Sequence, residues 1–295
     1  MNTNSFNLKT VAAIGKFDGF HIGHRELVHT AIQKALQKNA ASLIYYVGSS
    51  SPCLMSENDA EALVTAMGAD MCIRQMLTEE FKNLDAEAFV RDILAKRLHC
   101  VAVVVGYNFR FARGRCAGCD DLRRICNSYG IECIVIDEIR SRELDMTVSS
   151  TNIRTLLSEG RVDDAALLLS GYYSVCGTVG TGRQLGRTIG FPTANLELSA
   201  PYVLPKDGVY ATRTHVGSNV YASLTNIGTN PTVSGKKVTV ETHIIGFDDD
   251  IYDTPIRVEF VKRIRDEKKF DSLDVLKDQI QKDVRYAKEI IDKAI

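Results

Sequence analysis

A chain of 295 residues, 45% hydrophobic and 25% charged, has room for two domains and the composition of a soluble globular protein. Its formal net charge of −1 argues against a general nucleic-acid binder, which carries a basic excess. No apolar run approaches the ~18 residues of a membrane span, and Met1–Thr10 lacks the apolar core of a secretory signal, so the expected setting is the cytoplasm.

The first elements in chain order are a strand at Val11-Ala-Ala-Ile14, a turn at Asp18-Gly19 and a helix in which Leu27, Val28, Ala31, Ile32, Ala35 and Leu36 make a half-buried stripe. His21 and His24 then fall at the helix N-terminus. Free backbone N–H groups and the helix dipole favour an anion there, and two imidazoles with nearby glycines suit a polyphosphate. This stretch resembles the His-x-Gly-His signature of the nucleotidyltransferase superfamily, which implies that both histidines stabilise the α-phosphate of ATP.

Further strands read at Ser42–Val47, Met71–Ile73, Val101–Val105 and Ile131–Ile136, alternating with helices at Glu57–Met67, Asp85–Leu98 (capped by Asp85) and Leu122–Ser128. The alternation predicts a doubly wound parallel sheet. Ligands of such sheets bind at the carboxyl ends of the strands, where Gly15–His24 and Gly106–Arg115 could face one crevice. A third element, Val148-Ser-Ser-Thr-Asn-Ile-Arg154, reads as the cap and first turn of a helix. The eight cysteines suit a reduced compartment. Cys116-Ala-Gly-Cys119 is a lone C-x-x-C whose nearest companions, Cys126 and Cys133, are irregularly spaced for zinc. What these four cysteines do is left open.

From Tyr172 the texture changes. Short runs at Tyr173–Cys176, Gly208–Thr212, Val220–Leu224, Val238–Ile245 and Ile256–Val261 predict an antiparallel barrel. The period of two in Val238–His243 puts Lys237, Thr239, Glu241 and His243 on one face. A final helix carries a predicted buried stripe of Leu273, Leu276, Ile280, Val284, Ala287 and Ile291. Gly177–Asn195, with five glycines and two arginines, can wrap phosphates, although it is not a P-loop.

Together these motifs resemble the bacterial bifunctional riboflavin kinase/FAD synthetase family over nearly the whole chain. The matching runs are Gly15–His24, Gly106–Phe111 and Ser149–Arg154 in the first half. In the second they are Gly186-Arg-Thr-Ile-Gly-Phe-Pro-Thr-Ala-Asn195, Asn226-Ile-Gly-Thr-Asn-Pro-Thr232, Val240-Glu-Thr-His243 and Arg265–Asp271. The resemblance implies a nucleotidyltransferase-like FMN adenylyltransferase domain over 1–170 and a β-barrel riboflavin kinase domain with a closing helix over 171–295. Riboflavin would be phosphorylated to FMN, and FMN adenylylated to FAD, with ATP and Mg²⁺ in each step.

The implied roles are specific. Glu241, His21, His24 and Arg154 are catalytic. Gly15, Phe17, Asn108, Ser149, Thr151, Gly186, Gly190, Thr193 and Asn195 bind ATP or its phosphates, Thr193 and Asn195 also holding the metal. Asn226, Arg265 and Phe270 bind flavin, with Arg265–Asp271 closing over it. Neither a nucleic acid nor a membrane is an expected partner. The sequence departs from the family at Tyr45–Pro52, where Thr-Phe-x-Pro-His-Pro is usual, and at Ala112, usually glycine. Two rivals follow: a kinase whose first domain has lost its transferase activity, and a non-catalytic flavin or nucleotide sensor.

Overall fold

The computed structural model describes residues 8–48, 51–181, 186, 189–232 and 235–293, the side chains of 230–232 and 235–237 excepted. Residues 49–50 of the atypical segment and 182–185 and 187–188 of the glycine-rich loop, with both its arginines, lie outside the described residues. The chain packs into two units, one from residues up to 50 plus 57–149, the other from 51–56 plus 150–295.

In the first unit, β1 (Thr10–Gly15), β2 (Ala41–Val47), β3 (Met71–Gln75), β4 (Cys100–Gly106) and β5 (Glu132–Ile136) form a sheet in the order β3-β2-β1-β4-β5, with every neighbouring pair parallel. Parallel strands are covered on both faces and therefore need unbroken apolar runs. All of Val11, Ala12, Ala13 and Ile14 are buried. The chain winds outward from β1 to β3, then returns to the centre for β4. That reversal is a switch point, where loops leaving β1 and β4 diverge and open a crevice at the strands' carboxyl ends. Gly15–His24 and Gly106–Arg115 leave the ends of these two neighbouring strands.

Helix α1 (Ile22–Lys38) buries Leu27, Val28, Ala31 and Ala35. Leu36, assigned to the buried stripe from its spacing, is 78% exposed; it lies about 100° round the helix from Ala35, off the sheet-facing stripe. α2 (Glu57–Ala66) and α3 (Glu79–Lys82) follow. The helix expected over 85–98 begins as α4 (Ala86–Ala88), where Asp85 accepts the Ala88 N–H at 2.7 Å, and continues as π-helical turns over Phe89–Arg97. α5 (Cys119–Ser128) precedes β5, and a small hairpin that the pattern did not signal, β6 (Arg140–Ser141) and β7 (Met146–Thr147), follows it.

The second unit starts with α6 (Ser150–Glu159) and α7 (Val162–Leu169). Six strands then close a barrel: β8 (Tyr173–Gly180), β9 (Ala194–Leu198), β10 (Gly208–Val216), β11 (Asn219–Thr232), β12 (Gly235–Ile244) and β13 (Pro255–Arg265), in the cyclic order β10-β11-β12-β9-β8-β13. All pairings are antiparallel. β8 runs on to Gly180 and β9 starts at Ala194, so the glycine-rich connection is shorter than the sequence suggested and Asn195 stands on a strand. The backbone N–H of Lys206 donates to Leu157 O at 2.9 Å, and α7 packs on β13 and β8, which ties the two helices to the barrel.

Helix α8 (Leu273–Lys293) packs on β10, β11 and β13, with Ala287 and Ile291 against Val209, Ala211, Leu224 and Val261. Leu273, expected on its buried stripe, is 67% exposed, because the first turn of the helix extends past the barrel surface that the later turns cover. Asp283 is buried instead, at 3% exposure. Its carboxylate takes two contacts of 2.8 Å from Arg265 and one of 2.7 Å from Gln279 Nε2. A hydrophobic period cannot show a buried acid whose desolvation is offset by a paired guanidinium.

Five hydroxyl residues, Thr212, Thr214, Ser223, Thr225 and Thr242, are fully buried on three adjacent barrel strands. Their hydroxyls form one chain: Thr214 to Ser223 at 2.7 Å, Ser223 to Thr212 at 2.8 Å, Thr212 to Thr225 at 2.7 Å and Thr225 to Thr242 at 2.9 Å. Ser223 also donates to Thr212 O at 2.9 Å, and this gives the chain a donor of its own to the backbone.

Candidate active sites

In the first unit, the loop after β1 places Phe17 and Phe20 in the left-handed region, at φ 48° and 45°. Such strain in a bulky residue survives only where surrounding packing fixes it, and it gathers at functional loops. Both rings are buried and stacked, with centroids 5.4 Å apart. His21 is the N-cap of α1, its Nδ1 accepting the His24 N–H at 3.4 Å. The two imidazoles stack with centroids 3.6 Å apart and planes at 18°. A side chain at Gly23 would press on the His21 ring at 3.2 Å, which is why glycine separates the pair.

Burial holds His21 at a pKa of about 4 against the pull of Asp18, and burial, then His21 itself, pushes His24 well below the usual range. The pair is therefore neutral at pH 7. Because His21 Nδ1 accepts the cap bond, its ring proton sits on Nε2. Among the described residues His24 Nδ1 is buried with no hydrogen-bond partner.

On the other side of the switch point, the Asn108 side chain folds back towards Gly106, its Oδ1 3.7 Å from where a Cβ on that glycine would stand. Phe109 and Phe111 stack beside it at 5.6 Å. Cys119 of the C-x-x-C points its thiol at Gly106 O (3.4 Å) and Tyr107 O (3.3 Å), so it braces this loop, whereas Cys116 is exposed. Ser149 ends the first unit. Thr151 and Arg154 lie on α6 in the second unit, where the Arg154 guanidinium donates to Pro52 O at 2.8 Å.

In the second unit, Asn226, Glu241 and Asn195 stand opposite one another on β11, β12 and β9. Directly opposed residues share a face, so the carboxylate sits between two amides. Thr193, just before β9, lines a cavity of about 300 Å³ with Val179, Ala194, Phe247 and Tyr252, and Asp248–Asp250 border it. His243 fixes the approach to Thr193: its Nδ1 lies 2.8 Å from Pro192 O, and Phe191 packs edge-on to its ring. Since a carbonyl only accepts, His243 donates there. Gly186 accepts from Phe191 N–H at 2.8 Å, and any Cβ at 186 would strike the Phe191 carbonyl. Gly190, at φ +87°, takes a conformation that other residues avoid.

Of the residues expected at the flavin, Asn226 faces Glu241, while Arg265 is bonded to Asp283 and stacks its guanidinium 5.7 Å from the Phe270 ring. Sequence reasoning missed Asp283 and the Phe247–Tyr252 cavity wall. His243 and Glu267 lay inside quoted motifs but drew no role.

A family model described as FAD synthetase matches residues 3–152, and one described as riboflavin kinase matches residues 169–291. A bifunctional riboflavin kinase/FMN adenylyltransferase of Haemophilus influenzae is 33% identical over 97% of this chain and 96% of its own. Proteins of the same name from Bacillus subtilis (32%) and Escherichia coli strain K12 (33%) each cover 95% of this chain and 92% of theirs. A crystal structure described as a macrolide-efflux protein from Streptococcus pneumoniae superposes with a TM-score of 0.88 at 27% identity, covering 97% of both chains. The two matched models follow the order of the two sites along the chain, and the relatives span both, so the chain belongs to the bifunctional riboflavin kinase/FMN adenylyltransferase family.

Proposed function

We propose that the two sites divide the work, the barrel site phosphorylating riboflavin and the parallel-sheet site adenylylating the product, with domains over 1–170 and 171–295. The protein is an ATP-using enzyme, a riboflavin kinase and FMN adenylyltransferase. The observation that carries the kinase assignment is the row Asn226–Glu241–Asn195, set side by side across β11, β12 and β9.

In that site Glu241 acts as general base, taking the proton of the ribityl 5′-hydroxyl as it attacks the γ-phosphorus of ATP and ADP leaves. Positioning and charge stabilisation dominate such transfers. Thr193, Asn195, Gly186 and Gly190 hold the nucleotide phosphates, and the Phe247–Tyr252 wall encloses the rest of the nucleotide. Asn226, Phe270 and, through the Phe270 ring, Arg265 hold the flavin.

The Thr193 hydroxyl, the Asn195 amide oxygen and the Glu241 carboxylate are hard oxygen donors. They fit Mg²⁺, which takes few protein ligands and keeps waters and phosphate oxygens. Bound at Thr193 and Asn195, Mg²⁺ would neutralise phosphate charge.

In the sheet site, FMN phosphate attacks the α-phosphorus of ATP and pyrophosphate leaves. Neutral His21 and His24 donate ring N–H groups to the phosphate as charge develops, and the N-terminus of α1 adds its dipole. Gly15 and Phe17 shape the loop, and Asn108 contacts the nucleotide. Ser149, at the end of the first unit, contacts the triphosphate. No described helix is long and apolar enough to cross a membrane, and the eight cysteines are thiols rather than disulfides. The reduced thiols support action in the reducing cytoplasm.

The test is a time course of purified protein with riboflavin, ATP and Mg²⁺, the flavins being separated by chromatography. FMN appearing first and then FAD is the expected result. FMN that accumulates without FAD, even when FMN is supplied directly, would remove the adenylyltransferase role. No conversion of riboflavin would remove the kinase role.

A further inference from the structure

The segment Arg265–Asp271 leaves β13 held at its base, where Asp266 also accepts from Arg263 at 2.8 Å, and again further along. At its base, Arg265 is paired with buried Asp283, and its guanidinium also donates to Asp266 O at 3.0 Å. Further along, Glu267 Oε1 accepts a hydrogen bond from Asn226 Nδ2 at 3.1 Å. The seat of that second contact is Gly228. A Cβ built there would collide with Glu267 Oε1 and stand 3.2 Å from Asn226 Nδ2. Glycine at 228 therefore leaves the space in which amide and carboxylate meet.

The contact has a chemical consequence. An ionised carboxylate only accepts, whereas an amide has a donor end and an acceptor end. Asn226 must turn its NH₂ towards Glu267, which fixes where its carbonyl oxygen lies. Asn226 stands opposite Glu241 on the neighbouring strand, on the same face. Glu267 thus decides which end of the amide is offered beside the carboxylate assigned as the base.

We propose that Glu267 is a positioning residue of the riboflavin site: by accepting the Asn226 N–H over Gly228, it sets the Asn226 carbonyl oxygen to accept from a hydroxyl or imide donor of riboflavin and latches 265–271 onto β11. This rests on the kinase reading and on the flavin role of Asn226.

The test is steady-state riboflavin kinase kinetics on full-length variants. Losing one hydrogen bond to a charged group predicts that Glu267→Ala raises KM for riboflavin about tenfold, with KM for ATP unchanged. Gly228→Ala, which displaces the carboxylate, behaves like Glu267→Ala. Glu267→Gln still offers an acceptor oxygen and restores most of the loss. Glu267→Lys turns the amide the other way and is worse than Glu267→Ala. In an Asn226→Ala background, Glu267→Ala adds nothing. Thermal midpoints and the FMN adenylyltransferase rate of each variant report that the chain is folded.

Wild-type riboflavin KM in folded Glu267→Ala and Gly228→Ala proteins overturns the proposal, as do effects at 226 and 267 that simply multiply. Both results leave the kinase reading intact, whereas that reading fails on the wild-type protein alone if riboflavin is not phosphorylated.

Discussion

His21 and His24 lie ring on ring, 3.6 Å apart, while His21 also caps the helix that carries His24. Two imidazolium ions cannot occupy that stack comfortably, and burial already holds His21 at a pKa of about 4. An unfolded histidine titrates near 6.5. Between these values the unfolded chain takes up a proton that the folded chain refuses. The stability associated with neutral His21 is therefore complete above about pH 6.5 and is lost as pH falls towards 4. His21→Asn keeps a good cap acceptor and removes the titration. Urea midpoints at pH 7 and pH 4.5 should fall less for the variant than for the wild type. An equal fall in both would mean that His21 is not buried as a neutral ring.

Glu241 gives the sharpest kinetic prediction. A general base is worth roughly 10²–10⁴-fold in rate. Glu241→Gln preserves the size of the side chain between Asn195 and Asn226 and should lower kinase turnover at least about a hundredfold, with FMN adenylylation unaffected. A near-normal turnover in that variant would take Glu241 out of the proton transfer.

The buried hydroxyl chain of the barrel can be tested by stability alone. Thr225 bridges Thr212 and Thr242, at 2.7 and 2.9 Å. Thr225→Val keeps the shape but leaves two buried hydroxyls short of a partner, which costs about 1–3 kcal/mol. Equilibrium urea unfolding would read this directly, and an unchanged midpoint would show that the neighbouring hydroxyls re-pair without Thr225.

Tyr46 predicts the opposite sign. Its hydroxyl is buried without a hydrogen-bond partner among the described residues, while its ring packs 5.0 Å from Phe17 and beneath Arg74. Tyr46→Phe keeps the ring contacts, removes the unsatisfied group and should raise stability by about 1 kcal/mol. A loss of stability in the same unfolding measurement would mean that the hydroxyl is bonded in solution.

Much of this molecule was legible in one sequence because its signals are local. The apolar runs of β1 and β4, the Asp85 cap and the helix start at His21 depend on residues a few positions apart. Gly186, Gly190 and the Pro192–Asn195 run belong to the same class, since a backbone turn needs its own residues. The spacing in Val240–His243 similarly put Glu241 and His243 on one face before any strand partner was known. What the sequence could not supply was whatever depends on distant segments meeting. Strand order alone brought the loops after β1 and β4 to one switch point. Barrel closure set Glu241 between Asn195 and Asn226, which are far apart in the chain. Asp283 reads as a polar interruption of the α8 stripe until Arg265 arrives from β13 to pair with it, just as Leu273 reads as buried until the barrel proves too short to cover it. Periodicity records which residues are apolar; only the packed structure decides which polar ones find a partner.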